Sequence, residues 1–178
     1  MFSHKRLIGA PVAAAVAAAV LCTGAAVANA QTLQIDDPSF VSLGAGVFDV
    51  FHEEPAGEFR GEFRSNYKLL GFLKPLVGLM ATTDRAVYGY GGFGVDLYFG
   101  PRWVLTPSAA VGAYDEGQGK KLGSVFEFRT GAELAYRFDD RSRLGLALHH
   151  ISNAGITERN PGTETLMLIF SIPLTLLR

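Results

Sequence analysis

From Glu58 onward the chain alternates in chemistry with a period of two, and it does so for longer than a soluble strand usually runs. Glu58, Arg60, Glu62, Arg64, Asn66 and Lys68 interleave with Phe59, Gly61, Phe63, Ser65, Tyr67 and Leu69. A second run starts at Ser124, with Phe126, Phe128, Ala132, Leu134, Tyr136 and Phe138 on one side. Glu127, Arg129, Gly131, Glu133 and Arg137 fall on the other. Side chains along a strand point alternately to opposite faces, so each run predicts a strand with one charged and one largely apolar face. Sandwich strands usually run about five or six residues, whereas runs of about ten with aromatics near their ends fit a membrane barrel. The expected fold is therefore all-β, an eight-stranded antiparallel transmembrane β-barrel. The strands are placed near 39–52, 58–70, 75–84, 87–99, 102–114, 124–138, 143–154 and 164–174. The lumen of so small a barrel is filled by side chains, which makes Glu62, Arg64, Glu127, Arg129, Glu133 and Arg137 a mutually neutralising plug rather than a catalytic set. A soluble lipid-binding barrel, with its apolar face inward and its charges outside, is the alternative.

Residues 1–30 read as a secretory signal peptide: His4, Lys5 and Arg6, then an Ala/Val-rich stretch, then Ala28-Asn29-Ala30 as a cleavage site. The barrel is assigned to residues 31–178, starting at Gln31. A signal anchor would not need the small-x-small site, and Leu21 before Cys22 is a poor fit to lipoprotein processing. Lys5 and Arg6 are two of the 16 basic residues and none of the 17 acidic ones lies in this segment, so the remaining chain has a charge of about −3. It also loses the single cysteine. Neither a disulfide framework nor a nucleic-acid footprint is available. No run of about eighteen apolar residues follows, which excludes a membrane-spanning helix.

The connections at 71–74, Gly100-Pro101 and 139–142 are short and alternate with more open ones at 53–57, 115–123 and 155–163. This is the pattern of periplasmic turns and outer loops, although the connection at 84–87 is too short for the rule. An even-stranded barrel with both ends in the periplasm makes the seventh strand run outward, so its end near Ser152 reaches the outer leaflet. The C-terminus departs from the usual barrel in lacking a final aromatic: Phe170 is the last, and Leu176-Leu177-Arg178 closes the chain. Either assembly tolerates this, or the eighth strand ends near Leu174 and a short tail follows.

In the seventh strand Leu144, Leu146, Leu148, His150 and Ser152 share one face, and the leucines mark it as lipid-facing. In the eighth, Glu164 shares a face with Leu166, Leu168, Phe170 and Ile172. The two strands form a hairpin, and with Ser152 opposite Glu164, His150 becomes a diagonal or same-strand neighbour of both. Ionisable groups on a lipid-facing wall cost about 0–4 kcal/mol each, depending on depth. Their clustering has a chemical reading, because a serine hydroxyl needs a histidine base, and that histidine needs a carboxylate to orient it. The plainer reading is an interfacial cluster with no catalytic role. His149 falls on the lumen face and belongs to the plug, and His52, beside Glu53 and Glu54, reads as a solvated loop residue.

His150-Ile151-Ser152-Asn153-Ala154, followed by Asn160-Pro161-Gly162-Thr163-Glu164, resembles the lipid A 3-O-deacylase family of outer-membrane proteins, the PagL-type enzymes. Less specific similarity runs upstream through Glu62-Phe63-Arg64, Lys74-Pro75-Leu76-Val77-Gly78-Leu79, Tyr90-Gly91-Gly92-Phe93-Gly94 and Gly119-Lys120-Lys121-Leu122-Gly123-Ser124 to Glu127-Phe128-Arg129. The resemblance implies removal of the ester-linked acyl chain at position 3 of lipid A, in the outer membrane, at the outer leaflet. Ser152 would be the nucleophile, His150 the general base and Glu164 the orienting carboxylate. Asn160, with Asn153 or a loop backbone N–H, would bind the oxyanion. The substrate partners are lipopolysaccharide and outer-membrane lipids. No cofactor or metal is expected, and a homodimer is left open. Two rivals remain: a non-catalytic structural or lipopolysaccharide-binding barrel, and an outer-membrane lipase or acyltransferase acting on phospholipid.

Overall fold

The structure is a computed structural model that describes residues 37–52 and 55–177. The signal peptide expected at 1–30, the expected start at Gln31 and the pair Glu53-Glu54 lie outside the described residues. Nine strands follow one another: β1 (Phe40–Phe48), β2 (Ala56–Arg64), β3 (Lys74–Thr82), β4 (Val87–Gly94), β5 (Leu97–Phe99), β6 (Trp103–Asp115), β7 (Phe126–Arg137), β8 (Arg143–Ser152) and β9 (Thr163–Pro173). Each is antiparallel to its neighbours, β1 pairs with β9, and β4 and β5 both pair with β6. The sheet closes on itself as eight staves, β4 and β5 together forming the fourth.

The fourth stave, expected as one strand over 87–99, is interrupted at 95–96. The cause lies across the ladder: Val95 donates its N–H to Pro107 O at 3.0 Å, but proline has no N–H to return. Asp96 uses the break to turn inward, where it takes Lys74 Nζ at 2.9 Å and Thr106 Oγ1 at 2.8 Å. Several of the other staves are shorter than expected at one end, while the fifth and the last keep their expected lengths. The first stops at Phe48 because Asp49 turns the chain with φ 62°. The second stops at Arg64, leaving Asn66 and Lys68 in a turn. The last ends at Pro173 with a single 3-10 turn at Leu174–Leu176, which is the short tail that a C-terminus without an aromatic allowed for.

The faces are those that the alternation predicts, and the soluble alternative is overturned. Glu58, Arg60, Glu62, Arg64, Glu127, Arg129, Glu133 and Arg143 are buried in the lumen, while Leu43, Phe59, Leu79, Leu134, Leu146 and Leu168 are exposed on the outer wall. An outer wall this apolar is stable against hydrocarbon and not against water. Phe99, Trp103, Tyr136 and Phe138 gather at the turn end, with Trp103 and Phe138 both edge-on to Tyr136, as an interfacial girdle would require.

The plug is cross-linked between staves. Glu62 accepts from Arg64 at 2.9 Å, Arg129 at 3.0 Å and the Tyr90 hydroxyl at 2.9 Å, and Arg129 stacks over the Tyr90 ring at 3.9 Å. His149 faces the lumen as expected, its Nδ1 accepting from Arg60 Nη1 at 3.1 Å. At the turn end Asp37 receives both Arg137 and Arg143, at 2.7 and 2.6 Å. Burial pushes the Asp37 carboxyl up, but those two guanidiniums outweigh it and hold it below the usual carboxylate range.

Candidate active site

The loop end of the β8–β9 hairpin carries a cluster of polar residues on the outer wall. Strand β8 alternates cleanly: Arg143, Gly145, Ala147, His149 and Ile151 are buried, Leu144, Leu146 and Leu148 are exposed, and His150 and Ser152 are half-buried on the leucine side. The register corrects one expectation. Glu164 stands directly opposite His150, and not opposite Ser152, which pairs on its other side with Phe128. His150 thereby lies between the carboxylate and the serine. Ser152 is two residues farther along the same face, about 7 Å up the strand.

His150 Nδ1 meets Glu164 Oε1 at 2.9 Å, with the two side chains 24% and 18% exposed. A carboxylate only accepts, so the proton of the neutral imidazole sits on Nδ1 and Nε2 keeps its lone pair. Gly162 makes the close packing possible. It has φ +65°, and a Cβ in its place would lie 2.8 Å from His150 Cε1 and 3.4 Å from Nε2. Any other residue would be strained at that φ and would press on the base edge of the ring.

The two asparagines divide differently from expectation. The Asn153 side chain is fully buried and its NH2 is shared among Leu122 O, Thr157 Oγ1 and Arg159 O, at 3.2, 2.9 and 2.8 Å. Its Oδ1 accepts from Gly155 N–H. Its own N–H donates to Asn160 Oδ1 at 3.1 Å. Asn153 is thus a loop brace with its donors committed, which removes it as a candidate oxyanion donor. Asn160 is exposed, and anchoring its oxygen on Asn153 leaves the NH2 as the half of the carboxamide not used in that contact.

One residue beside the cluster is an exposed loop residue, as expected, and also contacts two carboxylates. His52 follows β1, and its Nδ1 lies 3.0 Å from Asp49 Oδ1 and 3.5 Å from Glu164 Oε2. Barrel closure brings it there: β1 pairs with β9, and Val50 N–H extends that ladder to Glu164 O at 3.1 Å. The signal was present in the topology, since the residues just past the first strand must lie beside the start of the last.

A serine, a histidine and a carboxylate on one wall are the residue types that acyl transfer through a serine ester uses. Comparison with known proteins bears on the class of chain. A protein described as lipid A deacylase PagL from Bordetella bronchiseptica is 38% identical over 52 residues, a match spanning 29% of this chain and 29% of that protein. The crystal structure of the outer membrane enzyme PagL matches with a TM-score of 0.55 at 18% identity, covering 75% of this chain and 99% of that one. That likeness shows the shared barrel fold. The family model for lipid A 3-O-deacylase (PagL) matches residues 58–173, well over half of the chain and inclusive of His150, Ser152 and Glu164. The chain therefore belongs to the lipid A 3-O-deacylase (PagL) family, built as an eight-stave outer-membrane β-barrel.

Proposed function

We propose that this protein is an outer-membrane esterase that removes the ester-linked 3-hydroxyacyl chain at position 3 of lipid A. The observation that carries the reading is the 2.9 Å contact between His150 Nδ1 and Glu164 Oε1 on a lipid-facing wall, with Ser152 on the same face of the same strand. Isolated polar residues at an interface have no need of that pairing. A serine that must be activated next to hydrocarbon does.

Ser152 Oγ attacks the ester carbonyl as His150 Nε2 takes its proton, and Glu164 holds the ring by Nδ1–H and balances the imidazolium charge. The tetrahedral intermediate expels the 3-oxygen of the sugar, which leaves with the proton from Nε2, and the acyl chain stays on Ser152. Water, deprotonated by the same nitrogen, then releases the free 3-hydroxy acid and restores the serine. The Asn160 NH2 is the side-chain donor for the oxyanion. The apolar wall formed by Leu144, Leu146, Leu148 and Leu168 lies along the acyl chains, so the substrate reaches the site laterally from the outer leaflet. Family membership supports lipopolysaccharide as the substrate class.

The test is a parallel incubation of the refolded, heat-modifiable barrel with lipid A and with a diacyl phospholipid, reading released fatty acid by mass spectrometry. Release of 3-hydroxy acid from lipid A alone is expected. Release from the phospholipid alone would make the protein a phospholipid-directed lipase, and release from neither would leave a binding or structural barrel.

A further inference from the structure

Glu164 has two oxygens, and His150 uses one. The other, Oε2, is buried and has no hydrogen-bond partner among the described residues, while His52 Nδ1 stands 3.5 Å away. His52 is not a stray loop side chain. Its Nδ1 is held at 3.0 Å by Asp49 Oδ1, and Asp49 is itself buried, with a left-handed backbone at φ 62°.

Asp49 is a hub. Its Oδ1 also takes the ammonium of Lys120 at 2.6 Å from the loop between β6 and β7, and the Thr163 hydroxyl at 2.9 Å from the first residue of β9. Among the described residues, the charged and titratable groups around His52 are therefore Asp49 and Glu164 in direct contact, with Lys120 behind the first and His150 behind the second. Both groups facing His52 Nδ1 are carboxylates, which only accept, so that nitrogen must carry a proton. An N–H turned to one anchored carboxylate keeps the ring edge 3.5 Å from the free oxygen of the other, a polar contact longer than a hydrogen bond that biases the second carboxylate without touching the reacting atoms.

We infer that His52, held by the Asp49–Lys120–Thr163 hub, is a positioning residue for Glu164, fixing the carboxylate plane that in turn orients His150. The inference rests on the deacylase reading for its kinetic consequence but not for its geometry. It ties three separate pieces of the loop end to the triad: the segment after β1, the loop carrying Lys120 and the start of β9. Movement of those loops on a lipopolysaccharide surface would reach the base through His52.

The experiment compares wild type with His52→Ala and His52→Asn, whose amide NH2 can occupy the place of Nδ1–H. Two readouts are taken on refolded, heat-modifiable protein. The first is kcat and KM for lipid A. His52→Ala is expected to lower kcat about two- to fivefold, less than the worth of a full hydrogen bond, with KM unchanged, and His52→Asn to restore most of it. The second needs no activity: the ring nitrogen shifts of His150 in nitrogen-15 histidine-labelled protein, which report the Nδ1–H tautomer. His52→Ala is expected to mix the tautomers and His52→Asn to restore the wild-type pattern. Unchanged His150 shifts and unchanged kcat in His52→Ala would overturn the inference. A tautomer change in a barrel that hydrolyses no lipid A would uphold the positioning role and sink the deacylase reading instead.

Discussion

Two sets of charged groups share this barrel and are built to different ends. In the lumen, Glu62 lies among Arg64, Arg129 and Tyr90, and Arg64 reaches on to Glu133 at 3.2 Å. Most charges there are answered by their own strand or by a stave across the lumen, and Glu127, buried with neither carboxylate oxygen hydrogen-bonded among the described residues, is the exception. On the outer wall Glu164 takes one hydrogen bond from an imidazole, and the serine two residues on belongs to no ladder pair with β9. The lumen groups neutralise one another and hold the staves together. The wall groups have fewer partners among the described residues, which suits the chemistry proposed for them. The same alternation of residues produces both, and only the face decides which.

The sharpest way to break the comparison is to remove a wall group. His150→Gln and Glu164→Gln should each cut lipid A deacylation about a thousandfold or more, while the unboiled protein keeps its folded migration on a gel. Loss of folding in either would mean that the wall set is structural after all. The reverse substitution comes next. Glu62→Ala removes the carboxylate that Arg129 pairs with and one of those around Arg64, which keeps Glu133, and should lower stability by about 3–5 kcal/mol in a urea titration, with activity per folded molecule unchanged. A smaller effect tests the packing under the base: Gly162→Ala should slow turnover about 10- to 100-fold by displacing the His150 ring, again without unfolding. The smallest concerns the turn end. Asp37 has a depressed folded value, so its contribution is present above the ordinary carboxylate pKa of about 3.9 and is lost as pH falls through the folded one. Resistance to urea should therefore decline on acidification through that range, and Asp37→Asn should flatten the decline.

Much of this architecture could be read from the residues alone, because a two-residue period leaves little freedom about which side faces lipid. The faces of β2, β7, β8 and β9 follow from it directly. What periodicity cannot supply is register. Whether Ser152 or His150 stands opposite Glu164 depends on where the 153–162 loop closes, and that is decided by Asn153 and Asn160 bracing each other and by the left-handed Gly162. The break in the fourth stave was hidden for a related reason, since its cause, Pro107, lies on the partner strand. The contact of His52 with Glu164 was not legible because the two are distant in sequence and meet only when the first strand zips onto the last. Residues whose roles depend on one strand were legible, and those whose roles depend on closure were not.

The most direct test is mass spectrometry of lipid A after incubation with the refolded protein and with Ser152→Ala. The account predicts loss of one ester-linked 3-hydroxyacyl mass with the intact serine and an unchanged spectrum with the alanine. The same mass loss with Ser152→Ala, from a barrel equally folded, would contradict it.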